Sequence, residues 1–175
     1  PGGASILNSY AARQPDSNRF RLGEGAGTAH ADLHLLGPNA KYVDCGVPIN
    51  DGPMHIVAKA ALGALTAWLT KGTLPVIAPR IEVIPGATPQ IRRNADGIAL
   101  GGIRTPPVDV PVAALSGSPG PNSSTICLLP GSTQPFSAAR LAHLYPSRPD
   151  YLHRHTAAPL TSLQAALGLS EHRPA

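Results

Sequence analysis

Arg19-Phe-Arg-Leu-Gly-Glu-Gly-Ala-Gly-Thr-Ala-His30-Ala-Asp-Leu-His34 is the stretch of sequence that decides how the fold is interpreted. Apolar and polar side chains alternate through Phe20 and Leu22, which predicts a short strand over residues 19–24. Three glycines then interrupt the run before His30. Because glycine permits tight turns, this pattern is typical of a strand end that presents a side chain from a loop. His30 is therefore a candidate general base.

The composition favours one loop-rich globular domain. A chain of 175 residues can bury a sizeable core, but aromatics make up only 4% of it, so that core must be built from Ala, Leu, Val and Ile. The 18 glycines and 20 prolines predict many loops. The net charge of +4 does not indicate a nucleic-acid partner, because the basic residues are scattered along the sequence.

A membrane partner is not expected either, because no apolar run approaches the ~20 residues of a membrane span. No signal peptide is visible, and the sequence leaves the compartment open.

Helix signals are strongest in the middle of the chain. Apolar residues keep helical spacing from His55 onward, with Pro53 in the first turn and Asn50 or Asp51 as the candidate N-cap. The pair Lys71-Gly72 predicts the end of this helix. Further helices are expected over residues 4–14, after Ser137, from Pro149 and over 160–167.

Strand signals lie between these helices. Residues 80–84 and 90–92 alternate, and the turn at 94–97 predicts a hairpin in which residues 98–100 return. The proline-rich run 103–112 is better suited to a sheet edge or an extended loop than to a central strand.

Four blocks of the sequence resemble one known family. They are Ala12-Arg-Gln-Pro-Asp-Ser through His30-Ala-Asp, Pro48-Ile-Asn-Asp-Gly-Pro with the helix that follows it, Asp96-Gly-Ile-Ala-Leu-Gly-Gly-Ile-Arg, and Gly131-Ser-Thr-Gln-Pro-Phe-Ser-Ala-Ala-Arg-Leu. Together they look like the C-terminal portion of bacterial proteins described as "alpha/beta hydrolase domain-containing".

The resemblance implies a partial α/β-hydrolase-type fold. We expect residues 1–175 to form a single C-terminal portion of such a domain, with the last strand and helices of its sheet, a β-hairpin and C-terminal helices. A loop-rich insert is expected over about residues 73–135. One departure from the family is that Gly23 and Gly25 flank Glu24, where relatives usually have Trp and Val.

By resemblance, the parent activity is serine hydrolysis of an ester or similar acyl bond, with His30 as the triad histidine. The nucleophile of this fold lies on a G-x-S-x-G elbow, and the 175 residues contain none. The triad acid is expected upstream of Pro1. We therefore expect a chain that lacks the nucleophile and the acid and is inactive alone. No cofactor is expected. The expected partner is an N-terminal hydrolase half that completes the active site, or a second copy of this chain.

Six residues are expected to support His30, and four of them have a simpler structural alternative. Glu24 could orient a catalytic group or be a strand-edge charge. Asp32 could bind local backbone amides, Asn50 could fix the turn before the long helix, and His55 could pack at its start. The full set is Glu24, Gly27, Thr28, Asp32, Asn50 and His55.

Other interpretations stay open. His30, Asp32 and His34 alternate, as a divalent metal site would require on an extended segment, but no further ligand is evident and we expect no metal. The separation of Cys45 and Cys127 excludes a C-x-x-C motif and leaves a disulfide or two buried thiols. A non-catalytic interaction remnant is the alternative to a hydrolase segment.

Overall fold

The computed structural model describes residues 10–121 and 124–158, which form a mixed α/β structure. These residues contain five α-helices and four short strands. They are α1 (Leu33–Leu36), α2 (Met54–Lys71), β1 (Val83–Ile84), β2 (Gln90–Ile91), α3 (Pro106–Asp109), β3 (Ala113–Ser116), β4 (Ser132–Pro135), α4 (Ala138–Leu144) and α5 (Arg148–Ala157), with 3-10 turns at Tyr10–Ala12, Gly37–Tyr42 and Thr125–Leu128.

The long central helix is confirmed as α2. It ends where the sequence predicted, because Gly72 adopts a φ of 67° and its N–H bonds the carbonyl of Trp68 at 3.0 Å. The predicted N-cap is wrong: Pro53 occupies that position, and the side chain of Asn50 accepts from the N–H of Gly52 instead. In the part of the chain that the structure describes, no helix has both the length and the apolar composition to cross a membrane.

The hairpin predicted over the turn at 94–97 is present, but residues 98–100 return without forming a strand. The strands expected over 80–84 and 90–92 are shortened to β1 and β2, which pair antiparallel with each other, with Val83 opposite Ile91. The side chain of Asn94 accepts from the N–H groups of Asp96 and Ile98, both at 3.0 Å, and fixes the turn that follows. A single bridge between Arg93 and Ala99 marks the returning segment.

The strand predicted over 19–24 is wrong. No strand forms there, and the backbone of Leu22 bonds side chains: its N–H donates to Asp16, and its carbonyl accepts from Arg80. Isolated bridges join Phe20 to Ser17 and, just past this stretch, Gly25 to Ile103. The extended loop predicted over 103–112 contains α3, because Pro106 suits the first turn of a helix.

The second sheet was not predicted. β3 and β4 pair antiparallel, with Ala114 opposite Gln134 and Ser116 opposite Ser132. The helices expected after Ser137 and at Pro149 are confirmed as α4 and α5, and the hydroxyl of Ser137 caps α4 by accepting from the N–H of Arg140 at 3.1 Å. The predicted helix over 160–167 and most of the one over 4–14 lie outside the described residues.

Small side chains build the core in two clusters. One joins α2 to the segments beside it, and the other packs the loop before His30 against the hairpin and β3. The first consists of Ala60, Ala64, Ala78 and Ile103, and the second of Ala26, Ile98, Ala99, Val108 and Ala114. Each alanine lets two backbone segments approach closely but buries little apolar area. Hydrogen bonds and ion pairs must therefore hold the segments in position.

Three ion pairs connect separate segments of the chain. Arg13 bonds Glu24 at 2.7 Å, Arg80 bonds Asp16 at 2.5 Å, and Arg140 bonds Asp96 at 2.7 Å. The Arg140 guanidinium holds the pKa of the Asp96 carboxyl below its usual range. The last pair fastens α4 to the hairpin turn.

Cys45 and Cys127 form a disulfide with a Cα–Cα distance of 5.4 Å. Both residues are buried. The bond joins the loop that follows the Gly37–Tyr42 turn to the Thr125–Leu128 turn. It closes a loop with a sequence separation of 82 residues.

The side chain of Asn50, which is fully buried, ties three segments together. Its Nδ2 donates to the carbonyls of Gly27 and Ser116, both at 3.0 Å, and its Oδ1 accepts from the N–H of Gly52 at 2.8 Å. The carbonyl of Ser132 lies 3.4 Å from Nδ2. One amide therefore positions the glycine loop, β3 and the approach to α2.

Replacing Asn50 with Ala should lower the free energy of unfolding by on the order of 3 kcal/mol, because buried carbonyls would lose their donor. Chemical denaturation followed by circular dichroism measures this. Asn39→Ala, at an exposed position, is the matched control and should stay within about 0.5 kcal/mol of the wild-type value. Equal losses in the two variants would contradict the role given to Asn50.

Reducing the disulfide should lower the free energy of unfolding by about 2–5 kcal/mol, because the loop it closes is long. The measurement is denaturant unfolding with and without dithiothreitol. The double variant Cys45→Ala/Cys127→Ala is the control and should not respond to the reductant. A wild-type protein that is equally insensitive would contradict the bond.

Candidate functional site

The loop that carries His30 is fixed by the residues before it. Gly27 has a φ of 70°, and a Cβ there would lie 2.9 Å from Cγ2 of Val108, so only glycine fits. The hydroxyl of Thr28 donates to the carbonyl of Gly25 at 2.9 Å and closes the turn. Ala26 is fully buried, and its N–H bonds the carbonyl of Ile103 at 2.9 Å.

The residues around and after His30 are fixed as well. Ala29 is buried against Gly131, where a Cβ would come within 2.8 Å of the alanine methyl group. The N–H of Ala31 bonds the carbonyl of Leu129 at 3.2 Å, and the N–H of Leu33 bonds the carbonyl of Asn50 at 2.8 Å. His30 itself is exposed. Anchored backbone on both sides thus presents a solvent-facing imidazole.

Asp32 serves the helix that follows. Its side chain caps α1, with Oδ1 accepting from the N–H of Leu35 at 2.9 Å. The residue is 1% exposed, and its Oδ2 has no hydrogen-bond partner among the described residues. The structure therefore gives Asp32 the local backbone contact that the sequence suggested, together with one buried acceptor that no described residue engages.

His34 and His55 contact each other. Their rings stack with centroids 3.9 Å apart, which fastens α1 to the first turn of α2. Nδ1 of His55 is buried, and no described residue bonds it. Within the described ranges, no group of three or more His, Cys, Asp or Glu side chains could hold a metal ion.

The carboxylate of Glu24 bonds groups outside the histidine loop. Its carboxylate accepts from Nε and Nη2 of Arg13 at 2.8 and 2.7 Å, and from the N–H of Ile81 at 2.8 Å. These bonds fasten the start of the described chain to the segment before β1. Glu24 is thus occupied by structural contacts on both of its oxygens.

Thr133 is a residue whose part sequence reasoning missed. Its hydroxyl accepts from the N–H of Asp51 and donates to the carbonyl of Ile49, both at 2.9 Å, and its N–H bonds the carbonyl of Pro48. β4 thereby holds the segment that carries Asn50. The only signal in the sequence was the family-like block beginning at Gly131, which did not indicate which residues Thr133 would bond.

The arrangement offers an exposed base and none of its usual partners. A general base needs a nucleophile within hydrogen-bond reach and a third group to orient the ring. Among residues 10–121 and 124–158, no side chain hydrogen-bonds the ring of His30. Taken by itself, the imidazole can accept and return a proton at the surface.

Comparison with known proteins identifies the family. No curated protein and no solved structure gives a significant match to the chain. The family model described as "Alpha/beta hydrolase domain" matches residues 4–173, which is nearly the whole sequence. The chain belongs to the alpha/beta hydrolase domain family.

Proposed function

We propose that this chain provides the catalytic histidine, His30, of a serine hydrolase that cleaves ester or similar acyl bonds. The observation that carries the proposal is the rigidly anchored, solvent-facing imidazole in a member of this family. Anchored backbone with a free ring is the arrangement that a docking nucleophile requires. The rest of the triad, a serine and an acid, is supplied by a hydrolase segment outside these 175 residues.

The chemistry divides into two acyl transfers. In the first, Nε2 or Nδ1 of His30 takes the proton from the serine hydroxyl as its oxygen attacks the acyl carbon, and the imidazolium then protonates the departing alkoxide. In the second, the imidazole takes a proton from water as its oxygen attacks the acyl carbon, and the imidazolium then returns that proton to the departing serine oxygen, which releases the acid. Backbone amides of the completed site hold the oxyanion in each step. The proposed reaction needs no cofactor.

The surface of α2 supports the need for a further hydrolase segment. Ala60 and Ala64 face the core, while Leu62, Leu65 and Leu69 form a stripe on another side of the helix and are 63%, 44% and 78% exposed. A helix that is apolar on opposite sides is normally buried on both. In an α/β-hydrolase domain such a helix packs on the main sheet, and the described residues contain only two-stranded sheets. These exposed leucines support a further hydrolase segment that packs on α2, as expected if this chain is the C-terminal portion of the domain.

The isolated chain should hydrolyse p-nitrophenyl acetate no faster than its exposed histidines would as free imidazole. The reason is that no described residue gives His30 a nucleophile within hydrogen-bond reach. A fluorophosphonate probe should likewise label no serine of the isolated chain. His30→Ala is compared with His153→Ala, an exposed histidine on α5.

Two results decide this experiment. Turnover well above free imidazole that His30→Ala abolishes and His153→Ala does not would show a complete active site in the isolated chain. When a serine-bearing hydrolase segment is added, fluorophosphonate labelling should appear, and His30→Ala should reduce it at least 100-fold. Labelling that is unaffected by His30→Ala would refute the role of the histidine.

A non-catalytic interaction module is the second candidate, and the stripe of Leu62, Leu65 and Leu69 is the observation that favours it. Three exposed leucines in helical register form an apolar surface that water covers unfavourably. A module of this kind binds through the stripe and has no use for His30.

The stripe predicts self-association of the isolated chain. Light scattering should show a mass that rises with concentration, and Leu65→Glu should shift the apparent dissociation constant at least tenfold toward the monomer. Leu152→Glu, at an exposed leucine of α5, is the control and should leave the constant unchanged. A wild-type chain that stays monomeric throughout would remove the support for this candidate.

A further inference from the structure

A pocket of about 350 Å³ lies between the hairpin and the β3–β4 sheet. Its polar wall consists of Arg93, three serines and two glutamines: Ser116, Ser118, Ser132, Gln90 and Gln134. Ile91, Ala114 and Pro119 supply apolar surface in the same pocket. A charged group among neutral donors, with an apolar wall beside them, is the usual make-up of a small-molecule site.

Arg93 is held in place by neutral partners. Its Nη1 donates to the carbonyl of Gly97 at 2.9 Å, and its Nη2 lies 3.1 Å from the hydroxyl oxygens of both Ser116 and Ser118. The N–H of Ser118 also donates to Oγ of Ser116 at 3.0 Å. These contacts fix the guanidinium plane, and none of the three partners carries a negative charge.

Arg93 shares the lack of an ion pair with Arg19, Arg21 and Arg148 among the described residues, but it is the one of these four that lines the pocket. Within residues 10–121 and 124–158, no carboxylate forms an ion pair with it, whereas six other arginines are each paired with an acid: Arg13, Arg80, Arg92, Arg104, Arg140 and Arg154. Burial lowers the pKa of the Arg93 guanidinium. A partly buried, oriented charge of this kind gains most from an anion that enters the pocket.

We propose that this pocket binds the carboxylate of a small organic acid, which forms an ion pair with Arg93. A guanidinium matches a carboxylate in charge, and the second N–H of Nη1 and the N–H of Nε, which no described residue engages, can each donate to a carboxylate oxygen. Ser118 and Gln134 are placed to bond its oxygens, and Ile91 and Pro119 contact its hydrocarbon part.

The charge count favours a carboxylate over a phosphate. The described wall of the pocket holds one cation, which balances one negative charge, and phosphate sites usually add further cations or a nest of backbone N–H groups. The apolar lining also favours a ligand with a short carbon chain. The proposal is independent of the role of His30, because it rests on other residues.

Calorimetric titration of the full chain with butyrate tests the pocket, with chloride and phosphate titrated at the same ionic strength. Butyrate should bind with 1:1 stoichiometry, more tightly than either inorganic anion. Arg93→Gln should weaken butyrate binding at least tenfold. Arg92→Gln removes the adjacent arginine, whose pair with Glu82 is exposed, and should change the affinity less than twofold.

Ser118→Asp keeps the test decisive if Arg93→Gln does not fold. The new carboxylate would stand beside Nη2 of Arg93 and neutralise it internally, so a folded variant should lose butyrate binding at least tenfold. Circular dichroism reports folding. Equal affinity in wild-type and folded Ser118→Asp protein, equal effects of Arg92→Gln and Arg93→Gln, or tighter binding of phosphate would each overturn the proposal.

Discussion

The buried amide of Asn50 is the interaction on which the arrangement of the described residues depends. Its two donors and one acceptor join the glycine loop, β3 and the approach to α2. A chain with few aromatic rings cannot fix such segments by packing large side chains, and alanine contacts specify position only loosely. Hydrogen bonds in a dry interior are directional, and a partner left unbonded there is costly. One amide therefore determines where His30 emerges.

The strand β3 connects the two sites that we propose. The carbonyl of Ser116 accepts from Asn50, which supports the histidine loop, while the hydroxyl of the same serine accepts from Arg93 in the pocket. The backbone of one residue thus belongs to one site and its side chain to the other. A change in the position of β3 would alter both sites, because the hydrogen bonds of a buried amide and of a guanidinium group weaken when their partners are displaced.

Sequence reasoning succeeded where local chemistry decides and failed where distant partners decide. α2, the stop at Gly72 and the cap at Ser137 follow from residues close together in sequence, as does the family resemblance. The strand at 19–24 failed because Asp16 and Arg80 take its backbone groups. β3 and β4 were missed because Ala113–Ser116 shows no alternation that distinguishes a strand from a loop. The residues next to Arg93 in the sequence do not indicate that its side chain bonds two serines 23 and 25 residues away.

The bond between Cys45 and Cys127 gives the chain a ring topology that its secondary structure does not reveal. α2, the hairpin, α3 and β3 all lie on the closed portion, while the histidine loop precedes it and α4 and α5 follow it. A single backbone cut by a protease at an exposed site such as Thr73 or Gly86 would open the ring without separating its pieces. The nicked protein would keep the histidine loop covalently connected to β4, so its proposed catalytic residue and its supporting strand would stay in one molecule.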